Sequence, residues 1–434
     1  EDFLDMQSGG YYILLNDTTL PNVSNVEQGI EAYTPISATF KSFDGNGHTI
    51  NFAGAYDMGS QSSIGLFTSL PSGSIIRNLN VNFTSATDGS DVNVDANDDY
   101  GLYGLRTVKF ITTADNFNFG AIVVDNQGII TNCNVTTDVV SGSEYYIAVQ
   151  ADNALAGTSY IGGISAINSG YITNCEVSAN IKAPYNLGGI VGQNNGKIAS
   201  SSYEESKLSN NSQQNQHVAG FAVTNSSNGQ IITSFVSGEK SSTSPYSQDQ
   251  DSYISSTLPA SGFVYQNAGT ISDCYTDIYL ENTYSDMAGF AYYNGGTIKN
   301  AFSLSVLRNN VTASSGFARY NTLDGATGEF INCYYFYNQN VTGSANDEYG
   351  YQDGFIIGAG DINTSVVPIN YNGIERLNAG DFANVTEYFT DFSYQDEIGV
   401  NGVWFLSRGN TSTTFVDYVP TTEKIVIGEG DGED

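Results

Sequence analysis

Acidic side chains, 46 in all, are the most numerous ionisable groups in this chain. Asp95, Asp98 and Asp99 form one cluster, and Asp249 and Asp251 a smaller one. Paired carboxylates are the machinery of glycoside hydrolysis, in which one protonates the leaving oxygen and the other attacks or activates water. Both clusters sit in polar loop sequence. A lyase built on acids would also need a base beside them, in a chain with only 14 Lys and Arg. They read as solvated acidic loops, with weak calcium binding second, and neither matches the EF-hand spacing. Of the two His, His48 lies in the FDGNGHTI stretch and reads as a turn cap, while His217 ends a polar loop. A Ser-His-Asp triad would need one of them beside a partnered Asp and an exposed Ser. There is no nucleophile elbow, no phosphate-cradling Gly-Lys-Ser/Thr loop and no His-Glu-x-x-His. The four cysteines, Cys133, Cys175, Cys274 and Cys333, lack the Cys-x-x-Cys spacing of a zinc site. The expectation is therefore no catalytic residue, no cofactor-binding residue, no metal site and no enzyme.

What these residues do instead is repeat. One phrase reads apolar-Gly-apolar, then a short run to Asn, then x-Gly-x-Ile, then x-x-Cys or a small residue. It recurs seven times, as in FGAIVVDNQGIITNC (119–133), LGGIVGQNNGKIASS (187–201) and MAGFAYYNGGTIKNA (287–301), with a degenerate copy at 64–79. The anchor residues are Asn126, Asn168, Asn194, Asn225, Asn267, Asn294 and Asn321. Their short gaps set a unit of roughly 26 residues, and longer gaps read as a unit plus a loop. Apolar residues alternate with polar or small ones over four to six positions, which is strand periodicity. Gly and Asn punctuate the strands, and no helical spacing is sustained.

The pattern predicts an all-β chain: a single-stranded parallel β-helix (β-solenoid) with an N-terminal cap and a short C-terminal β extension. Equivalent residues should then stack as ladders. Ile130, Ile172, Ile198, Ile231, Ile271, Ile298 and Phe330 would fill the interior. Gly163, Gly189, Gly220, Gly262, Gly289 and Gly316 would lie where backbone packs too closely for a side chain. The Asn column would bond between coils or satisfy turn backbone. The cysteines share one column with Ser201, Ser234 and Ala301, so they read as small buried structural thiols. Cys133 and Cys175 belong to neighbouring repeats, so they alone could meet as a disulfide without rearrangement.

Composition narrows the partners. The net charge is −32, from 46 acids against 14 bases. Nucleic acid and anionic membranes need basic patches, so both are excluded, as is membrane insertion, since no run is apolar enough to span a bilayer. The charge favours solubility and is compatible with a calcium requirement where subunits pack closely. A chain starting at Glu1 without Met is consistent with a removed signal peptide and secretion. Asn16, Asn22, Asn82, Asn134, Asn310, Asn340, Asn384 and Asn410 sit in Asn-x-Ser/Thr sequons that permit glycosylation.

LGGIVGQNNGKI resembles the GLUG motif of bacterial and archaeal surface proteins. GGYYILLNDTTL (9–20), Thr34 to Ile36 and FKSFDGNGHTI (40–50) are similar to the segment that commonly precedes such repeats as the first coils of a parallel β-helix. NAGDF (378–382) and GVNGVWFL (399–406) are similar to the closing segment. The resemblance implies architecture over about residues 9–408, and carries over no catalytic residues. It organises the chain as capping coils (1–60), a solenoid with side loops (61–340), a closing segment (341–410) and a strand with an acidic tail (411–434). Side loops near 141–158, 203–217 and 238–258 all follow the Cys-column strand, so they should emerge on one side.

A solenoid has two ends with unpaired strand edges. After the closing segment, Lys424, Ile425, Val426 and Ile427 form a short apolar β-rich strand before the tail GEGDGED. It could fold back on its own solenoid or add to a neighbouring subunit. A chain that is almost entirely solenoid suits a secreted, non-enzymatic structural protein of the cell surface that self-assembles as a homo-oligomer or homopolymer, in a fibre, sheath or surface layer. Tyr292, Tyr293, Tyr334, Tyr335 and Tyr337 are candidate contact aromatics, and stacked core aromatics is the other reading of them. The alternatives are an adhesin binding glycans through its loops, and a β-helix carbohydrate-active enzyme.

Overall fold

A computed structural model describes residues 6, 8–20, 33–36, 40–84, 106–140, 143–151, 158–183, 185–210, 217–238, 253–282, 285–309, 314–336, 357–359, 372–377, 405–408 and 418–421. Among the described residues every regular element is a strand, and there is no helix long and apolar enough to cross a membrane. The strands wind into a parallel β-solenoid with three faces, built from sheets of 18, 14 and 9 strands.

One coil shows how local sequence sets this shape. Tyr160–Gly162 and Ser165–Asn168 lie on the second sheet, Tyr171–Thr173 and Glu176–Ser178 on the first, and Ile181–Lys182 on the third. Asn186–Gly188 then opens the next coil directly beneath Tyr160–Gly162. The unit therefore holds five short strands, because two of its faces are bent. On the first face the bend falls at Asn174, whose φ is 50°. The equivalent residues Asn78, Asn132, Ser200, Thr233, Asp273, Asn300 and Asn332 all have φ between 48° and 57°. A single left-handed residue turns the chain between two strands of one sheet, and Asn and Asp tolerate that conformation better than other non-glycine residues.

The predicted ladders form. Ile130 pairs with Ile172, Ile172 with Ile198, Ile198 with Ile231, Ile231 with Ile271, Ile271 with Ile298 and Ile298 with Phe330. All six isoleucines are fully buried. Phe221, Phe263, Phe290 and Phe317 stack beside them at 4.6, 4.7 and 4.8 Å between ring centroids, the spacing of adjacent strands. At the bend of the second face, a Cβ on Gly163, Gly189, Gly220, Gly262 or Gly289 would meet the carbonyl oxygen of the glycine in the next coil. The column is glycine because main chain rests on main chain there.

Two expectations need correction. Much of the proposed side loops is solenoid: Ser143–Ala151 is a long strand of the third sheet, paired with Arg106–Thr112 and with Ile181–Lys182. Ser202–Glu204, Leu208–Asn210 and Tyr253–Ser256 are also strands, and Tyr203 is fully buried. Buried Ile147, Ala148 and Val149 lie in what polar composition marked as loop. The inserted residues outside the described set, 152–157, 211–216 and 239–252, also do not share one origin. The first two follow strands of the third sheet, while 239–252 follows Phe235–Ser237 of the first.

The last described rungs are Ile357–Ala359, paired with Ser315–Tyr320, and Ile374–Leu377, paired with Glu329–Phe336. Phe405–Arg408 and Tyr418–Thr421 form a separate antiparallel pair.

Candidate interaction surfaces

The Asn column is a continuous interior chain of amides. Asn126 donates to Asn168 at 2.7 Å, Asn168 to Asn194, Asn194 to Asn225, Asn225 to Asn267 and Asn267 to Asn294 each at 2.8 Å, and Asn294 to Asn321 at 3.3 Å. Asn126 to Asn294 are fully buried, so the row is enclosed by the fold. The Oδ1 atoms of Asn126, Asn194 and Asn294 also accept backbone N–H groups two residues on, from Gly128, Gly196 and Gly296. Leu70 occupies the position before Asn126 and closes that end with an apolar side chain.

The cysteine column follows a shared rule. Cys133, Cys175, Cys274 and Cys333 are buried and free. Each thiol donates to the carbonyl two residues earlier, at 3.3, 3.3, 3.2 and 3.5 Å. Ser201 and Ser234 make the same bond at 3.0 and 2.9 Å. Burial raises the Cys133 thiol well above its ordinary range, with the neighbouring Cys175 adding to the effect, and pushes Cys333 up to about 12. Such thiols are not nucleophiles at neutral pH.

His48 stands on the rim of the early coils, with Nδ1 3.1 Å from Asp17 Oδ1. The Thr49 N–H and then His48 hold the Asp17 carboxyl below the usual range. His217 stacks on Tyr265 at 3.8 Å and 12°. Its burial lowers its pKa to about 4, and Nδ1 has no hydrogen-bond partner. Among the described residues, no group of three His, Cys, Asp or Glu is gathered to hold a metal ion. Asp95, Asp98, Asp99, Asp249 and Asp251 lie outside the described residues, as do Asn22, Asn310, Asn340, Asn384, Asn410, Tyr337 and Lys424 to Ile427. Of the remaining sequons, Asn16 and Asn134 are exposed. Asn82 is held between Asn51 and Asp138, and accepts from Thr136.

The outer surface changes character along the stack, which the sequence reading missed. One column of the first sheet runs Thr49, Asn80, Asn134, Glu176, Ser202, and then Phe235, Tyr275, Phe302, Tyr334. Phe235, Tyr275 and Phe302 stack at 5.0 and 5.1 Å, apart from the interior cluster. A second cluster separate from the interior gathers Ala219, Val223, Tyr265, Ala288 and Tyr292, with Tyr293 and Tyr320 against it. Arg319 is 3% exposed; its Nε bonds Asp286 at 2.8 Å and its guanidinium lies 4.6 Å over the Tyr320 ring. Burial foremost, then the Asp286 charge, drives the Tyr292 hydroxyl far above its normal range. Of the candidate aromatics, Tyr335 belongs to the interior cluster, while Tyr292, Tyr293 and Tyr334 do not. The signal available in sequence was the switch from small or polar to aromatic in successive copies, as in Gly192, Val223, Tyr265, Tyr292.

Large exposed apolar side chains concentrate elsewhere, on the first coil. Tyr11, Ile13 and Leu15 are 79%, 56% and 69% exposed. No protein-family model, curated protein or solved structure matches the chain. The fold defines the class: an all-β parallel solenoid.

Proposed function

We propose that this chain is a non-enzymatic extracellular structural protein that assembles with copies of itself into a fibre, sheath or surface layer. One observation carries the reading: the first described coil exposes three large apolar side chains, Tyr11, Ile13 and Leu15. Solenoids that remain dispersed close their ends with polar caps, and exposed edges are normally blunted with charge or proline. Support also comes from the resemblance to GLUG-repeat surface proteins and from the exposed sequon at Asn16, which suits a secreted glycoprotein. The shared charge of −32 opposes close packing, so a divalent cation such as calcium would favour it.

Sedimentation and negative-stain microscopy of the purified chain across a concentration series, with and without calcium, test this. Growing polymers are expected. A dispersed monomer throughout overturns the reading.

A second reading, glycan binding, is favoured by Tyr293 and Tyr320, which are half-buried and stacked at 5.0 Å on the outer side of the second sheet. Such ring pairs offer flat apolar faces with polar tips, suited to sugar rings. Titration with a glycan panel, repeated on Tyr320→Ala, tests it; the absence of Tyr320-dependent binding excludes it.

A further inference from the structure

The cysteine column holds one pair of direct neighbours. Cys133 sits opposite Cys175, held there by the flanking pairs of Thr131 with Thr173 and Asn134 with Glu176. The left-handed residues before them, Asn132 and Asn174, have φ of 53° and 50°, so the two side chains leave the backbone in the same direction. Both enter the interior, at 0% and 1% exposure. In-register parallel strands place such α-carbons about 4.8 Å apart, inside the span that a disulfide bridges. Cys175 Sγ also leans toward the coil of Cys133, 3.9 Å from the Ile130 carbonyl oxygen. The other two cysteines have no such neighbour. Ala301 stands between Cys274 and Cys333, which puts them two rungs, or roughly 10 Å, apart. Ser234 precedes Cys274 in the column, and Ser201 follows Cys175.

Such a pair has a limited time in which to react. Disulfide exchange needs a thiolate that can reach an oxidant. In the folded coil neither sulfur meets solvent, and burial, with Cys175 alongside, keeps the Cys133 thiol protonated. In the unfolded chain both thiols are accessible. Pairing therefore happens as the two coils close on each other or not at all, and the finished interior keeps whichever state it received. A bridge gives up the thiol bonds to the Thr131 and Thr173 carbonyls, which are weak because S–H is a poor donor. In return it closes a loop of about 40 residues, long enough to restrict the unfolded chain substantially.

We propose that Cys133 and Cys175 form a coil-to-coil disulfide when the chain folds in an oxidising compartment, and remain free thiols when it folds under reductant. The oxidant is another disulfide, carried by a small molecule or a protein. One cysteine thiolate attacks it and releases a thiol; the second attacks the resulting mixed disulfide and releases the other. Two protein thiols are oxidised, one disulfide is reduced to two thiols, and the two protons pass to the leaving sulfurs. The form with four free thiols is the one that folding under reductant gives. This inference goes beyond the assembly reading and does not depend on it.

Producing the full chain in the reducing cytoplasm and in the oxidising periplasm of one bacterial host tests it. In denaturant, the cytoplasmic protein should titrate four thiols and the periplasmic protein two. Peptide mapping without reductant should join the Cys133 and Cys175 peptides in the periplasmic protein alone. The bridged form should melt higher by roughly 5 °C or more. Cys175→Ser keeps the bond to the carbonyl two residues back, as Ser201 does, and should give no bridge and equal melting from both compartments. Oxidised glutathione added to the folded cytoplasmic protein should leave all four thiols intact. Four thiols from both compartments, or a bridge between any other pair, overturn the proposal. Rapid bridging in the already folded protein overturns the claim that the state is set during folding. A melting difference that persists in Cys175→Ser shows that the bridge is not what stabilises the oxidised form.

Discussion

Asn194 Nδ2 donates to Asn225 Oδ1 at 2.8 Å across 31 residues, and Asn225 reaches Asn267 at the same distance across 42. Spacing along the chain varies while spacing along the stack does not. Insertions leave the solenoid at its corners, so the coils they separate keep their register.

Asn225→Ala is expected to lower stability by about 1–3 kcal/mol, because it leaves buried Asn194 Nδ2 with only its 3.3 Å bond to the Gln230 carbonyl and removes the donor to Asn267 Oδ1. Thermal and denaturant unfolding followed by circular dichroism measures this. A change within 0.5 kcal/mol would mean that water replaces the amide and that the row does not hold adjacent coils together.

Gly220→Ala should cost about 1–3 kcal/mol or more, because its new Cβ meets the Gly262 carbonyl oxygen and neither backbone can move without shifting a rung. Gly47→Ala is the comparison. Gly47 has φ 79° with open space around its missing Cβ, so it carries only the left-handed penalty of about 1–2 kcal/mol. Equal effects in matched unfolding curves would remove the close-approach explanation of the column.

His217 gives a pH signature. Its folded pKa is about 4, below the ordinary 6.5, because burial against Tyr265 disfavours the charged ring. The unfolded chain then binds more protons between pH 6.5 and 4. The stabilisation is complete above pH 6.5 and is lost as pH falls through that window. His217→Phe keeps a ring on Tyr265 and should flatten the dependence between pH 4 and 6.5, by roughly 2–3 kcal/mol relative to the parent. Parallel stability curves for the two proteins would show that the imidazole does not titrate in this environment.

The cysteine column predicts tolerance. Cys274→Ser keeps the small side chain and the bond to the carbonyl two residues back that Ser201 and Ser234 make, so it should cost less than about 1.5 kcal/mol. In the native protein at pH 8, thiol reagents should label none of the four cysteines, and in denaturant all four. Rapid native labelling would show that the column opens.

The repeated phrase carried the interior into view. Ile198, Gly189, Asn194 and Ser201 occupy the columns their positions in the phrase imply, because a parallel stack places identical positions one rung apart. The strands hidden in polar sequence were not legible: Ser143–Ala151 and Tyr203 are structural because the coils above and below supply partners. The left-handed bends at Asn132, Asn174 and Asn332 sit before the cysteine in plain sight, but nothing local says that one sheet continues through them.

The sequence by itself determined the stacking rule, since the rule is a period and a period is a property of the chain. The tertiary structure decided the three faces, the covered aromatic column from Phe235 to Tyr334, and the exposure of Tyr11, Ile13 and Leu15. Burial of an outward side chain depends on what packs against it from elsewhere, and its exposure on what does not. Neither condition is written in the residues that experience it.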